Sequence, residues 1–398
     1  MRKVPLAAVA EVIRGVSFSK EVGDTIQSDG KLPVIRAGSI QDSLLLNEGQ
    51  IWVPREKVKA HQKIRRDDIV MCTSSGSSDL VGKCAKSEVD FEGSFGAFCA
   101  GIRPIEGKVS ASYLYHFLSS PSFRNWTRSS SGANIKNIRI SELAEFEIPL
   151  PPLPEQKRIA AILDKADAIR RKRQQAIQLA DDFLRVVFLD MFGDPVTNPK
   201  GWKIEKIDDL CDVQGGLQVS KKRAGLPVAA PYLRVANVLR NALNIDEIKT
   251  IGLTEAEFDR VRLKENDILI VEGHGNPNEI GRCALWTGEV DGMVHQNHLI
   301  RARVKSGVIR SQFVNDYINS PGGKIQMMRA SNTTSGLNTI STGIVKSTKI
   351  IVPPVKLQDE YISIVDKVRF ITLLQGLYQQ KNSEIFFSLS QKAFNEKL

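Results

Sequence analysis

The chain has 398 residues, 42% of them apolar and 25% charged. That balance excludes a disordered or collagen-like polymer and predicts two to three globular units of roughly 100–200 residues. Fifty-five Lys and Arg against 45 Asp and Glu give a net charge of +10, which points first to a polyanionic partner. No stretch supplies the roughly 18 uncharged apolar residues of a membrane helix, and MRKVPLAAVAEVIRG lacks a signal-peptide core, so a cytoplasmic protein is expected.

Residues 1–150 read as a β-rich globular domain, with short apolar runs such as IVMCT bounded by Gly, Ser, Asp and Asn clusters. A helix is expected over SASYLYHFLSS, stopped by the following Ser-Pro. Residues 151–193 then form one long helix, with no Gly or Pro between Pro154 and Gly193. Ile159, Ile162, Ala166, Ile169, Arg173, Ala176, Ala180, Phe183 and Val187 follow the 3-4 spacing of a coiled-coil seam. About 38 residues at 1.5 Å each make a rod of roughly 55–60 Å. Residues 194–354 read as a second globular domain and 355–398 as a second long helix, which Gly376 weakens by about 1 kcal/mol relative to Ala.

The second half repeats the first at an offset of about 200 residues. Val12, Gly15, Ser19 and Lys20 match Val213, Gly216, Ser220 and Lys221. PVIRAGSI matches PYLRVANV, RRDDIV matches KENDIL, LVGKCA matches EIGRCA, and YLYHFLSSP matches FVNDYINSP. SGANI echoes SGLNT, and the pair Pro151-Pro152 answers Pro353-Pro354. The expected fold class is therefore α+β: two globular domains separated by two long antiparallel helices that form a coiled-coil spacer, with internal pseudo-twofold duplication.

No signature of an enzyme is present. GHGN breaks the dinucleotide-binding glycine pattern, and GSSDLVGKC has Cys84 where a phosphate loop needs Ser or Thr. No Asn/Asp-Pro-Pro-aromatic tetrapeptide of an amino-methyltransferase occurs. Cys72, Cys84, Cys99, Cys211 and Cys283 form no CxxC pair, which predicts reduced thiols packed in cores rather than disulfides or a zinc knuckle. HQNH, with His295 and His298, reads as a polar loop beside a strand rather than a metal site. No catalytic or metal-ligating residue is assigned.

Recognition of nucleic acid needs flexible donors and acceptors on loops, with cations to hold phosphates. Two loop regions in each half qualify: 73–83 and 124–137, matched by 272–282 and 329–341. The DNA-binding candidates are Ser75, Ser78, Lys83, Arg128, Asn134 and Lys136 in the first half. In the second they are His274, Asn276, Arg282, Arg329, Asn332 and Asn338. The matched loops differ in residues, so two such domains would read different sequences. RRKR at 170–173 reads as a solvated or partner-facing helix surface.

PLPPLPEQKRIAAILDKAD leading into a long helix, SGANIKNIRISEL before it and FLDMFGDP at its end resemble the specificity subunits of type I restriction–modification systems. The resemblance covers essentially the whole chain, although IIVPPVKLQDEYISIVDKV lacks the Pro-Glu-Gln of the first copy. It implies two target-recognition domains reading the halves of a gapped, asymmetric DNA sequence, with paired helices as the ruler between them. It also implies two modification (methyltransferase) subunits as partners, joined by restriction/translocase subunits. This chain would carry no cofactor and no activity of its own; S-adenosylmethionine, ATP and magnesium would belong to the partners. The competing readings are a coiled-coil adaptor without a nucleic-acid role and an enzyme with an unrecognised nuclease or methyltransferase site.

Overall fold

The computed structural model describes residues 2–77, 79–129, 136–305, 307–330, 332–334 and 337–394. They fall into two compact units, Met1–Gln175 with Gln375–Leu398, and Ala176–Leu374. No helix among the described residues is long and apolar enough to cross a membrane.

The first unit runs β1 (Lys3–Pro5), β2 (Ala10–Arg14), β3 (Lys31–Ile35), β4 (Ile51–Pro54), β5 (Ile69–Cys72), β6 (Ser74–Ser75), β7 (Cys84–Lys86), β8 (Ser94–Phe95) and β9 (Cys99–Pro104). It continues with α1 (Ala111–Leu118), α2 (Pro121–Ser129), β10 (Lys136–Asn137), α3 (Ile140–Glu145), β11 (Glu147–Pro149) and the part of α4 (Leu153–Phe192) up to Gln175. An antiparallel sheet of order β2-β9-β5-β7 is its centre. The apolar run of β5 is unbroken because both faces are buried. Ile69 and Met71 pack with the α1 side chains Tyr113 and Leu114, while Val70 and Cys72 pack with Ile35 and Phe95.

The second unit contains β12 (Lys203–Lys206), α5 (Ile207–Leu210), β13 (Cys211–Gly215), β14 (Val228–Leu233), β15 (Val238–Leu239), β16 (Ala242–Leu243), β17 (Lys249–Leu253) and α6 (Glu255–Val261). After these come β18 (Ile268–Val271), β19 (Gly273–His274), β20 (Cys283–Leu285), β21 (Val294–His295), β22 (Leu299–Val304), α7 (Ser311–Asn319) and α8 (Pro321–Ala330). β23 (Asn332–Thr334), β24 (Leu337–Thr339), α9 (Thr342–Ser347), β25 (Lys349–Val352) and α10 (Val355–Phe394) complete the chain. Its main sheet has the order β13-β22-β18-β20, the same as in the first unit. The sequence repeat is thus a repeat of fold.

The matched motifs have a physical basis. Asp68 of DDI and Asp267 of NDI are both buried and take a bidentate Arg, from Arg103 and Arg303 respectively. The residues before them, Asp67 and Asn266, both adopt positive φ near 70°, which Asp and Asn tolerate better than most side chains. Gly82 and Gly281 are left-handed as well, and a Cβ there would sit 2.6 Å from Thr127 and 2.5 Å from Met327. The glycine in LVGKC and EIGRC therefore lets the chain lie directly on α2 or α8.

Two expectations need correction. Pro121 and Pro321 do end α1 and α7, but each also occupies the first turn of a further helix, where its missing N–H costs nothing. The start of the region expected as a loop, 124–129, is therefore helical. The seam expected on α4 does not hold along its length. Ile159 is buried, but Ile169 and Phe183 are exposed, whereas Leu163, Asp167, Phe188 and Phe192, which lie outside that seam, are buried. The anchors are contacts at the helix ends: Ile159 and Leu163 join the core of the first unit, and Phe192 lies 4.8 Å from Phe313 in the second. α4 stops at Gly193 (φ 81°), whose N–H donates to the Leu189 carbonyl at 2.8 Å. The Phe192 carbonyl then takes the Trp202 indole N–H. α10 continues through Gly376 without a break.

Candidate nucleic-acid interface

In the first unit the two candidate loops meet. β6 pairs antiparallel with β10, with Ser75 opposite Lys136 and Ser74 opposite Asn137. The Ile138 N–H donates to the Thr73 carbonyl at 2.8 Å and extends the ladder. The second unit builds the same junction: His274 of β19 lies opposite Asn338 of β24, and β23 adds a third strand. Ile340 N–H donates to the Glu272 carbonyl at 2.8 Å, matching Ile138. Chain segments about sixty residues apart are thus joined at the end of the buried central strand of each unit.

The loops are held in shape by their own side chains. Ser75 Oγ accepts from the Ser77 N–H at 3.1 Å, His274 Nδ1 accepts from Asn276 N–H at 3.0 Å, and Asn276 Oδ1 accepts from Asn278 N–H at 3.0 Å. Arg124 fixes the first loop from beneath by donating to the carbonyls of Val81 and Asp79 at 2.9 and 2.6 Å. Asn276 is exposed; Ser75 and His274 are half-buried. Short polar groups on a backbone fixed in this way suit base-edge recognition, since little ordering is left for binding.

The cations divide. Arg128 is exposed at the end of α2, 3.7 Å from the Asp79 carboxylate, and Arg329 is exposed at the end of α8. Lys83 is half-buried and donates to Gln41 Oε1 at 2.9 Å. Arg282 is placed differently from the other cations. It is buried, and its guanidinium donates to the carbonyls of Val238 and Val235 and to Glu279 at 2.8, 3.1 and 2.9 Å. Its donors serve the backbone at Val235 and at the start of β15. Lys136, Asn332 and Asn338 are placed by their backbones in the ladder strands, while Ser78 and Asn134 lie outside the described residues.

A third element was missed. A turn at 96–98 in the first unit and 296–298 in the second abuts the ladder, and the Thr73 and Ser74 N–H groups donate to the Phe98 carbonyl. Aligning SFGAFC with VHQNHL would have located it. It also separates the two histidines of HQNH: His295 is fully buried and His298 exposed. A cleft of about 900 Å³ beside the first ladder is lined by Arg14, Ser17, Thr73, Ala97, Asn137 and Arg139 among others.

Nothing among the described residues groups three His, Cys, Asp or Glu side chains as metal ligands. All five cysteines are free and buried. Burial pushes the Cys84 thiol up to about 11 and those of Cys99 and Cys211 up to about 12, which removes their thiolates at neutral pH.

The family model for the type I restriction modification DNA specificity domain matches residues 1–179 and 199–385. The EcoKI specificity subunit of Escherichia coli is 32% identical over 379 residues, 92% of this chain and 81% of that protein. The StySPI specificity subunit of Salmonella potsdam is 33% identical over 380 residues, with the same coverage. A solved S subunit from M. genitalium aligns over 99% of this chain and 96% of its own, with a TM-score of 0.56 at 16% identity, a likeness of fold. This chain therefore belongs to the type I restriction–modification DNA specificity family, as a non-catalytic member that recognises DNA.

Proposed function

We propose that each unit reads one half of a gapped, asymmetric DNA target through its ladder-joined loops. The observation that carries this reading is the pairing of β6 with β10 and of β19 with β24, which brings different polar residues to the same place in two copies of one fold. Ser75, Arg128, Lys136, His274, Asn276, Arg329, Asn332 and Asn338 remain the candidate contacts, joined by Ser78 and Asn134 from the sequence alone. Lys83 has a secondary place, holding phosphate only if it leaves Gln41.

The two long helices pair antiparallel in this reading, with pseudo-twofold symmetry, and set the gap. What supports it is that each unit uses opposite ends of the two helices. The first has the start of α4 and, from the end of α10, Phe394 at 5.1 Å from Phe117. The second has the end of α4 and the start of α10, with Phe192 at 5.3 Å from Tyr361. The 151–193 and 355–398 segments would then be spacers between domains at 1–150 and 194–354. Two methyltransferase subunits dock on this scaffold and bring S-adenosylmethionine; restriction subunits bring ATP and magnesium chemistry. The expected compartment is the cytoplasm.

Binding of the chain with its methyltransferase partner to a random duplex pool at several salt concentrations tests the reading. Enrichment of one gapped motif, with affinity falling steeply as salt rises, is expected. Salt-independent or unselective binding would favour the coiled-coil adaptor.

A further inference from the structure

The turns at 96–98 and 296–298 are equivalent and hydrogen-bonded to the loops, and their tips carry different chemistry. In the first unit the Val16 N–H donates to Phe95 O and the Cys99 N–H to Gly96 O, both at 2.8 Å. Thr73 and Ser74 N–H donate to Phe98 O at 2.9 and 3.2 Å. In the second, Leu217 N–H donates to His295 O, Leu299 N–H to Gln296 O and Glu272 N–H to His298 O, each at 3.0 Å. The repeat glycines Gly15 and Gly216 exist for this contact: a Cβ on them would lie 2.1 Å from Gly96 O and 2.3 Å from Gln296 O. No side chain fits between the first sheet strand and the turn.

At the tip stands Phe98, 67% exposed, although its neighbours Phe95 and Cys99 are buried. His298 takes its place in the second unit, with a side chain 60% exposed and Nδ1 3.4 Å from Glu272 Oε2. A single exposed apolar side chain is ordinary. One held on a backbone hydrogen-bonded to the reading loop, and replaced in the other copy by a hydrogen-bonding ring, is a position under a different demand. Among major-groove edges the thymine methyl is the apolar group, and purine N7 is an acceptor that an imidazole N–H can reach.

We infer that Phe98 and His298 are specificity-determining residues, Phe98 reading a thymine methyl and His298 a purine edge in the opposite half-site. This rests on the DNA-reading function proposed above. The test uses the full chain with its methyltransferase partner, competing the selected duplex against duplexes changed at one base pair at a time. Phe98→Ala is expected to weaken the selected duplex by about 5- to 100-fold. It should also abolish discrimination at one T·A pair in one half-site, leaving the other half unchanged. Phe98→Leu should keep the thymine preference, and His298→Ala should relax one position in the opposite half. Unchanged unfolding midpoints would place the effect at the interface.

If both Ala variants bind every duplex as the wild type does, the inference is overturned while the DNA-reading function stands. Equal weakening on all duplexes overturns base reading by these residues. A wild type without preference for any duplex overturns the reading function and this inference with it.

Discussion

Gln156 and Gln358, each fully buried near the start of a long helix, make the same pair of hydrogen bonds. Gln156 Oε1 accepts from the Ser110 N–H at 2.8 Å and its Nε2 donates to the Pro151 carbonyl at 2.8 Å. Gln358 accepts from the Arg310 N–H at 2.9 Å and donates to the Pro353 carbonyl at 2.8 Å. Each glutamine thus ties the Pro-Pro entry of a long helix to the N-terminus of the helix beneath it. The second copy, which lacks Pro-Glu-Gln as a string, keeps the glutamine that the joint requires.

Replacing either glutamine by Leu takes the partner from a half-buried N–H and from a buried proline carbonyl. Gln156→Leu and Gln358→Leu should each lower stability by about 1–3 kcal/mol, read by denaturant unfolding. A loss below about 0.5 kcal/mol in both would show that the joint contributes nothing.

Arg282→Ala should act on folding and not on recognition. Its removal takes the guanidinium from the Val238 carbonyl and from Glu279, while the Val235 carbonyl keeps the Val238 N–H, so stability should fall by about 1–3 kcal/mol with the DNA affinity of folded protein unchanged. Lys83→Ala, at a half-buried surface position, should stay within about 0.5 kcal/mol of wild type. Equilibrium unfolding and duplex titration on the same preparations check both.

Gly281→Ala places a methyl group 2.5 Å from Met327 Sδ at a φ of 69°, and Gly82→Ala does the same against Thr127. Left-handed backbone costs a non-glycine residue about 1–2 kcal/mol before any clash. Each variant should therefore lose at least about 1 kcal/mol, measured by thermal unfolding, with Gly82→Ala the costlier because Thr127 is stiffer than Met.

His295 gives the fold an acid limit. Burial, with the Arg301 guanidinium adding to it, holds its imidazole down at about 4 against an ordinary 6.5. Its Nε2 has no partner among the described residues. The unfolded chain takes up a proton near pH 6.5 that the folded chain takes up only near pH 4, so this group's contribution is lost as pH falls through that window. The loss amounts to about 3 kcal/mol. His295→Gln should flatten the stability profile between these values; an unchanged acid slope would locate the sensitivity elsewhere.

The duplication was legible because matched residues such as Gly15 and Gly216, Asp68 and Asp267, and Gly82 and Gly281 answer backbone demands that few other residues meet. The long helices were legible from the absence of breakers. Their buried face was not: an apolar residue on a helix, such as the exposed Phe183, does not reveal whether a neighbour covers it. The candidate loops stood out by composition, yet two-residue strands carry no periodicity, so nothing in Ser74, Ser75, Lys136 or Asn137 announced that they pair. Arg282 looked like a phosphate contact because a cation ends the loop; the carbonyls it serves lie some forty-five residues earlier in the chain.

The most direct test of the account is to co-express the chain with its methyltransferase partner and map methylated adenines across the host DNA, for wild type and for Asn276→Ala. Wild type should methylate a single gapped, asymmetric motif, and Asn276→Ala should relax one half while the other half and the gap stay fixed. A continuous motif, or no new methylation despite a co-purifying complex, would contradict a chain that reads DNA with two domains held apart by a helical ruler.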